Sequence, residues 1–241
     1  MYKNSLNVLS FLTIVRPAPS YDSSFSELGK HGWTFPLVGA CLGLILFGAH
    51  ELTTAVFDRH VSAALVVILW IYLTGGLHLD GWVDCWDALS APVDPDKRLA
   101  ILKDSRIGTF GAAGLMSLFL VKTLAVASPN FSSSMLVTAP IVARTMMLVM
   151  AYGAPHTDKG MAAVLVESLT GRSLMTALTV ALPVVLYGGI QGIVGVLFAY
   201  GLSAWFKRFA MNRINAINGD VLGAICELSE TILLLSACGS W

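Results

Sequence analysis

Seven apolar segments divide this chain, at about 33–50, 61–77, 110–127, 134–152, 174–188, 190–205 and 221–237. A helix that crosses a bilayer needs about 20 apolar residues, within a range of about 17–25. The first four segments fit that range. The fifth and sixth are short and are separated only by Gly188 and Gly189. Read as one helix they would be too long for an untilted span. Composition agrees with a membrane setting: 56% of the 241 residues are hydrophobic and 12% are charged, where a soluble domain carries about 25% charged residues. Net charge is zero, so no basic field points to nucleic acid as a partner.

The basic residues choose between six and seven spans. With a break at Gly188–Gly189, one side of the membrane receives Lys3, Arg16 and Lys30, then Lys97, Arg98, Lys103 and Arg106, then Lys159 and Arg172, then Lys207, Arg208 and Arg213. The other side receives Arg59 alone, and Lys122 and Arg144 fall within spans. The positive-inside rule then puts the N-terminus and the long loops in the cytoplasm. A single long fifth helix would send the 206–220 loop outside with its basic residues. The sequence therefore predicts an all-α polytopic helical bundle in the cytoplasmic (inner) membrane, one domain over 1–241, with seven spans and six as the alternative. A short amphipathic segment, "SLNVLSFLTIV", precedes Pro17 and Pro19 and reads as an interfacial helix. Cys41, Cys85, Cys226 and Cys238 are scattered without C-x-x-C spacing and read as small buried hydrophobes.

Directly after the second segment comes "GGLHLDGWVDCWDALSA", Gly75 to Ala91. Asp80, Asp84 and Asp87 fall within eight residues, with no Lys or Arg among them. At about 100° per residue they share one helix face. Like charges at i, i+4 destabilise a helix, and unpaired charge near a bilayer is costly. An external cation is the economical remedy. An all-carboxylate site suits Mg²⁺, Mn²⁺ or Ca²⁺ rather than zinc. Gly81 lets a ligand approach the backbone. His78 points away from the aspartates on a continuous helix and reads as structural.

A second constellation is "ILKDSRIGTFG", Ile101 to Gly111. Lys103, Asp104, Ser105 and Arg106 precede Gly108 and Gly111 at the mouth of the third span. Bases and a hydroxyl beside a Gly-rich helix start suit phosphate; ordinary positive flanking is the competing reading. The third is "NGDVLGAICELSE", Asn218 to Glu230, with Asp220, Glu227 and Glu230 on one face. Carboxylates at membrane depth are functional by default, but pairing with Lys122 or Arg144 would make them structural. Gly39 and Gly43 form a small-x-x-x-small pair suited to helix packing. Met146, Met147 and Met150 read as core or lipid-facing. "PHTDKG" reads as a loop in which His156 and Asp158 are weak candidates for substrate contact.

The acidic block followed by "KDSRIGTFG" resembles the cobalamin synthase family, the adenosylcobinamide-GDP ribazoletransferases. "FLTIVRPAP", "FPLVGACLG" and "NGDVLGAICELSE" resemble its N-terminal, first-span and C-terminal segments. Two positions depart from the family pattern: Ala88 stands where a glycine follows the third aspartate, and Asn215–Ala216 replace a glycine pair. The resemblance implies a Mg²⁺-dependent enzyme that joins α-ribazole, or its 5′-phosphate, to adenosylcobinamide-GDP and releases GMP. It implies Asp80, Asp84 and Asp87 as Mg²⁺ ligands, and Asp84 and Asp104 as catalytic residues, Asp104 as base or further ligand. Lys103, Ser105 and Arg106 would meet the phosphates and leaving GMP. Lys122, Arg144, Asp220 and Glu227 are further substrate-binding candidates. Other corrinoid-pathway enzymes or a second copy of the chain are the expected partners, besides the lipid bilayer. The competing function is a cation-coupled transporter, whose carboxylates would sit near the midplane with repeat symmetry. Here they cluster at one rim, and no repeat is visible.

Overall fold

A computed structural model describes residues 2–15, 25–156 and 160–239. Arg16, Pro17, Pro19, Asp158 and Lys159 lie outside the described residues. The described residues are helical, with no strand beyond a single bridge between His156 and Ile217.

Each apolar segment read from the sequence is a helix. After α1 (Tyr2–Leu12) and two 3₁₀ turns come α2 (Phe35–Thr54), α3 (Arg59–Thr74), α4 (Leu77–Ser90), α5 (Pro95–Ile101) and α6 (Thr109–Val126). Then follow α7 (Met135–Ala151), α8 (Met161–Ser168), α9 (Gly171–Tyr187), α10 (Gly189–Ile214) and α11 (Gly219–Ser236). The chain breaks at Gly188–Gly189, where Gly189 takes φ +60°, so the fifth and sixth segments are separate helices.

Seven spans do not follow from this. Three stretches, Gly29–Thr54, Thr109–Val126 and Gly189–Ile214, are long and apolar enough to cross a membrane, or up to five if each bent helix pair is one span. The reason is bending. α3 meets α4 at 95°, and α8 meets α9 at 97°. The first bend is made at Gly75 and Gly76, both left-handed with φ 61° and 69°, a conformation glycine adopts without steric cost. α4 therefore leaves the direction of α3.

α7 and α11 form the centre. α7 is buried along nearly its whole length, and α11 buries Val221 through Glu227 without a break. α2 packs on α7 through the small residues noted in the sequence. A Cβ on Gly39 would lie 2.5 Å from the Pro140 carbonyl oxygen, and one on Gly43 would lie 2.6 Å from Val137 Cα. Backbones this close gain dispersion contacts that larger side chains would prevent.

Candidate active site

α4 carries Asp80, Asp84 and Asp87 on the face predicted. What the sequence did not reveal is how α4 meets α11. A Cβ on Gly81 would lie 2.8 Å from both the Cα and the carbonyl oxygen of Asp220. The two helices therefore touch backbone to backbone at this point, which brings Asp220 beside Asp80 and Asp84. Burial, then the charges of Asp80, Asp220 and Asp87, push the Asp84 carboxyl up from 3.8 to about 7. Burial and Asp80 raise Asp220 as well, against a hydrogen bond that lowers it. That bond is donated by Asn218 Nδ2 to Asp220 Oδ2 at 2.8 Å. No basic side chain contributes to either shift.

Asp87 has a different immediate role. It accepts from the Gly108 N–H at 2.7 Å and from the Gly111 N–H at 2.8 Å. It thus caps α6, whose own N-cap, Gly108, has no side chain to do so. The anion at the start of α6 is the Asp87 carboxylate, where the sequence suggested a phosphate. This cap also ties the K-D-S-R segment to the aspartate face. Asp104 accepts from Arg106 Nε at 3.0 Å and Nη2 at 2.6 Å, a two-pronged pair that holds its carboxyl down at about 2. Lys103, Ser105 and Arg106 are exposed.

Lys122, Arg144 and Glu227 do not join this face. They form an interior ion network with Glu230. Lys122 Nζ donates to Glu227, and to Glu230 at 2.6 Å. Arg144 Nη1 donates to the other Glu230 oxygen. All four residues are buried, and Lys122 also sits 4.8 Å over the Trp70 ring. Neither base can turn to a phosphate without leaving a buried carboxylate bare, which is costly. Glu230, the shared acceptor, was visible in sequence only as an acid at i+3 from Glu227. His78 is buried near Lys122, Arg144 and Glu230. His156 Nε2 reaches Glu167 at 3.2 Å.

A cavity of about 170 Å³ opens beside the aspartate face, bordered by α1, α4, α7, α8 and α11, with Asp80 and Asp220 on its wall.

The donor set can be tested against a divalent cation. Among the described residues no three His, Cys, Asp or Glu side chains are gathered to cage a metal ion. Mg²⁺ does not require such a cage. It usually keeps several waters and takes one or two carboxylates plus substrate phosphate oxygens. Asp80, Asp84 and Asp220 are crowded like charges without a counter-charge, and their chemistry fits that role.

Residues 4–238 match the family model described as cobalamin-5-phosphate synthase. The chain belongs to that family. An adenosylcobinamide-GDP ribazoletransferase of Brevibacillus brevis is 34% identical over 242 residues, covering 98% of each chain. One of Pseudomonas syringae pv. syringae is 34% identical over 217 residues, 87% of this chain and 88% of that one. One of Syntrophobacter fumaroxidans is 31% identical over 244 residues, 98% of each. No solved structure matches this chain. The family match spans the aspartate face, the K-D-S-R segment and α11 together.

Proposed function

We propose that this protein is a Mg²⁺-dependent transferase that joins α-ribazole, or its 5′-phosphate, to adenosylcobinamide-GDP at the cytoplasmic rim of the inner membrane. The relatives' names supply the substrate class. The observation that carries the site is the unneutralised crowding of Asp80, Asp84 and Asp220. Bound there, Mg²⁺ would supply positive charge to the pyrophosphate oxygens.

The chain's own residues do the rest. Carboxylates among Asp80, Asp84 and Asp220 would hold the cation, from two helices whose spacing is set at Gly81. Asp87 keeps the start of α6, and with it the K-D-S-R segment, against α4. Lys103, Ser105 and Arg106 offer donors to the phosphate oxygens and to the departing GMP. A hydroxyl oxygen of the acceptor bonds to the cobinamide-side phosphorus, and the bond from that phosphorus to the GMP oxygen breaks. The hydroxyl proton passes to a carboxylate of the face. Asp104, held down at about 2 by its two-pronged pair with Arg106, is a poor acceptor for that proton near neutral pH. Lys122, Arg144, Glu227 and Glu230 hold the bundle together beneath the site.

The test is GMP release from adenosylcobinamide-GDP and α-ribazole by purified protein in nanodiscs. One GMP per cobalamin formed is expected. Binding of both substrates with no GMP released would sink the reading and turn attention to cation flux in liposomes.

A further inference from the structure

Resting on the transferase reading above, we infer that the cavity beside the aspartate face is the acceptor subsite and takes the flat aromatic base of the ribazole. Its size selects among the ring systems of the two substrates. At about 170 Å³ it is below the roughly 300–1,000 Å³ of pockets that bury drug-sized ligands. A corrin macrocycle cannot enter, whereas one bicyclic ring can.

The walls select further. Phe11, Met161 and Leu165 line the cavity. An aromatic side chain and a polarisable thioether favour a π-faced guest. One buried polar residue belongs to this lining. His78 lines the same cavity, is 2% exposed, and neither of its ring nitrogens has a hydrogen-bond partner among the described residues. Leaving a buried polar group unpaired costs roughly 1–3 kcal/mol, so a guest that offers His78 a partner is favoured. A benzimidazole-type base has an apolar body and a polar ring nitrogen. Guanine's N1–H and amino group would find acceptors in Asp80 or Asp220, but its O6, N7 and N3 acceptors would find at most the His78 imidazole as a donor, and the rest would be buried unpaired against these walls. Asp80 and Asp220 stand on the same cavity wall. With the base inside, the attached sugar is left beside the carboxylates that position the phosphorus.

The test fills the cavity. Ala162→Phe narrows it from α8, and Met161→Trp does so from a half-buried position that tolerates bulk more readily. Initial rates are measured while each substrate is varied in turn. Both variants should raise KM for α-ribazole at least tenfold, and leave kcat and KM for adenosylcobinamide-GDP within about twofold. His78→Phe should weaken α-ribazole in the same one-sided way. The inference fails if KM for α-ribazole stays within twofold in both filled variants, or if KM for adenosylcobinamide-GDP rises instead. Direct binding of the free benzimidazole base keeps this separate from the transferase reading. If wild type releases no GMP yet binds the base, and Ala162→Phe abolishes binding, the cavity stands and the reaction falls. If wild type turns over but does not bind the base, the cavity assignment falls alone.

Discussion

Asp84 carries the main electrostatic load of the aspartate face. Its carboxyl is held at about 7 rather than 3.8 by burial and by three neighbouring carboxylates. A raised acid binds more protons folded than unfolded between those values. Without a cation, stability therefore falls as pH rises from about 4 to about 7, and stays low above that. Mg²⁺ removes the penalty only where Asp84 is ionised. Thermal unfolding in detergent should show a clear gain on adding Mg²⁺ at pH 8 and little at pH 5, and Asp84→Asn should flatten the difference. Asp87 invites a different expectation. Asp87→Ala removes the cap from α6 and should cost about 1 kcal/mol, with Asp87→Asn recovering part of it. Equal loss in both, read from denaturant unfolding, would contradict the cap. The shared face of the three aspartates was legible in sequence because helical periodicity alone sets it. Asp87's occupation by Gly108 and Gly111 was not, because the signal is an absence: a helix start with glycine where a capping side chain belongs. Nor was Asp220's place beside Asp80, which depends on α4 and α11 meeting at Gly81.

Among the elements, α11 performs two tasks along one length. Its first turn delivers Asp220 to the site, and two turns on, Glu227 and Glu230 neutralise Lys122 and Arg144. Sequence reading left open whether these acids serve substrate or packing, since i, i+3 and i, i+7 spacing defines a face but not what covers it. The structure commits the deeper pair to α6 and α7. Glu230→Ala strands two buried cations and should destabilise by about 3–5 kcal/mol. Arg144→Met combined with Glu230→Met removes both members of one pair, while Lys122 keeps Glu227. The double variant should be more stable than either single one. Unfolding midpoints of the three chains decide this, and additive losses would show that the ion pair is not the unit. The bend between α3 and α4 was also hidden. "TGG" looked like the end of a span, and only the two left-handed glycines show the turn to be near a right angle.

For the molecule as a whole, each apolar segment read from the sequence is a helix, but the short helices α5 and α8 fall in stretches read as loops, and the number of helices that cross a bilayer was not legible. Hydropathy reports how apolar a stretch is. It does not report whether the helix bends part-way, as α3–α4 and α8–α9 do. The distribution of basic residues still predicts one orientation. In a cysteine-free background, Lys97→Cys and Arg172→Cys should be shielded from a membrane-impermeant thiol reagent in intact cells, and Arg59→Cys should be labelled. Labelling of position 97 would reverse the orientation proposed here. The account stands or falls on the aspartate face acting through a cation. The most direct measurement is the Mg²⁺ dependence of GMP release by wild type and by Asp84→Asn, from EDTA upward. Turnover that is absent in EDTA, saturates with Mg²⁺ and drops at least about 10²-fold in the variant is the predicted result. Turnover that survives EDTA, or a variant as fast as wild type, would contradict it.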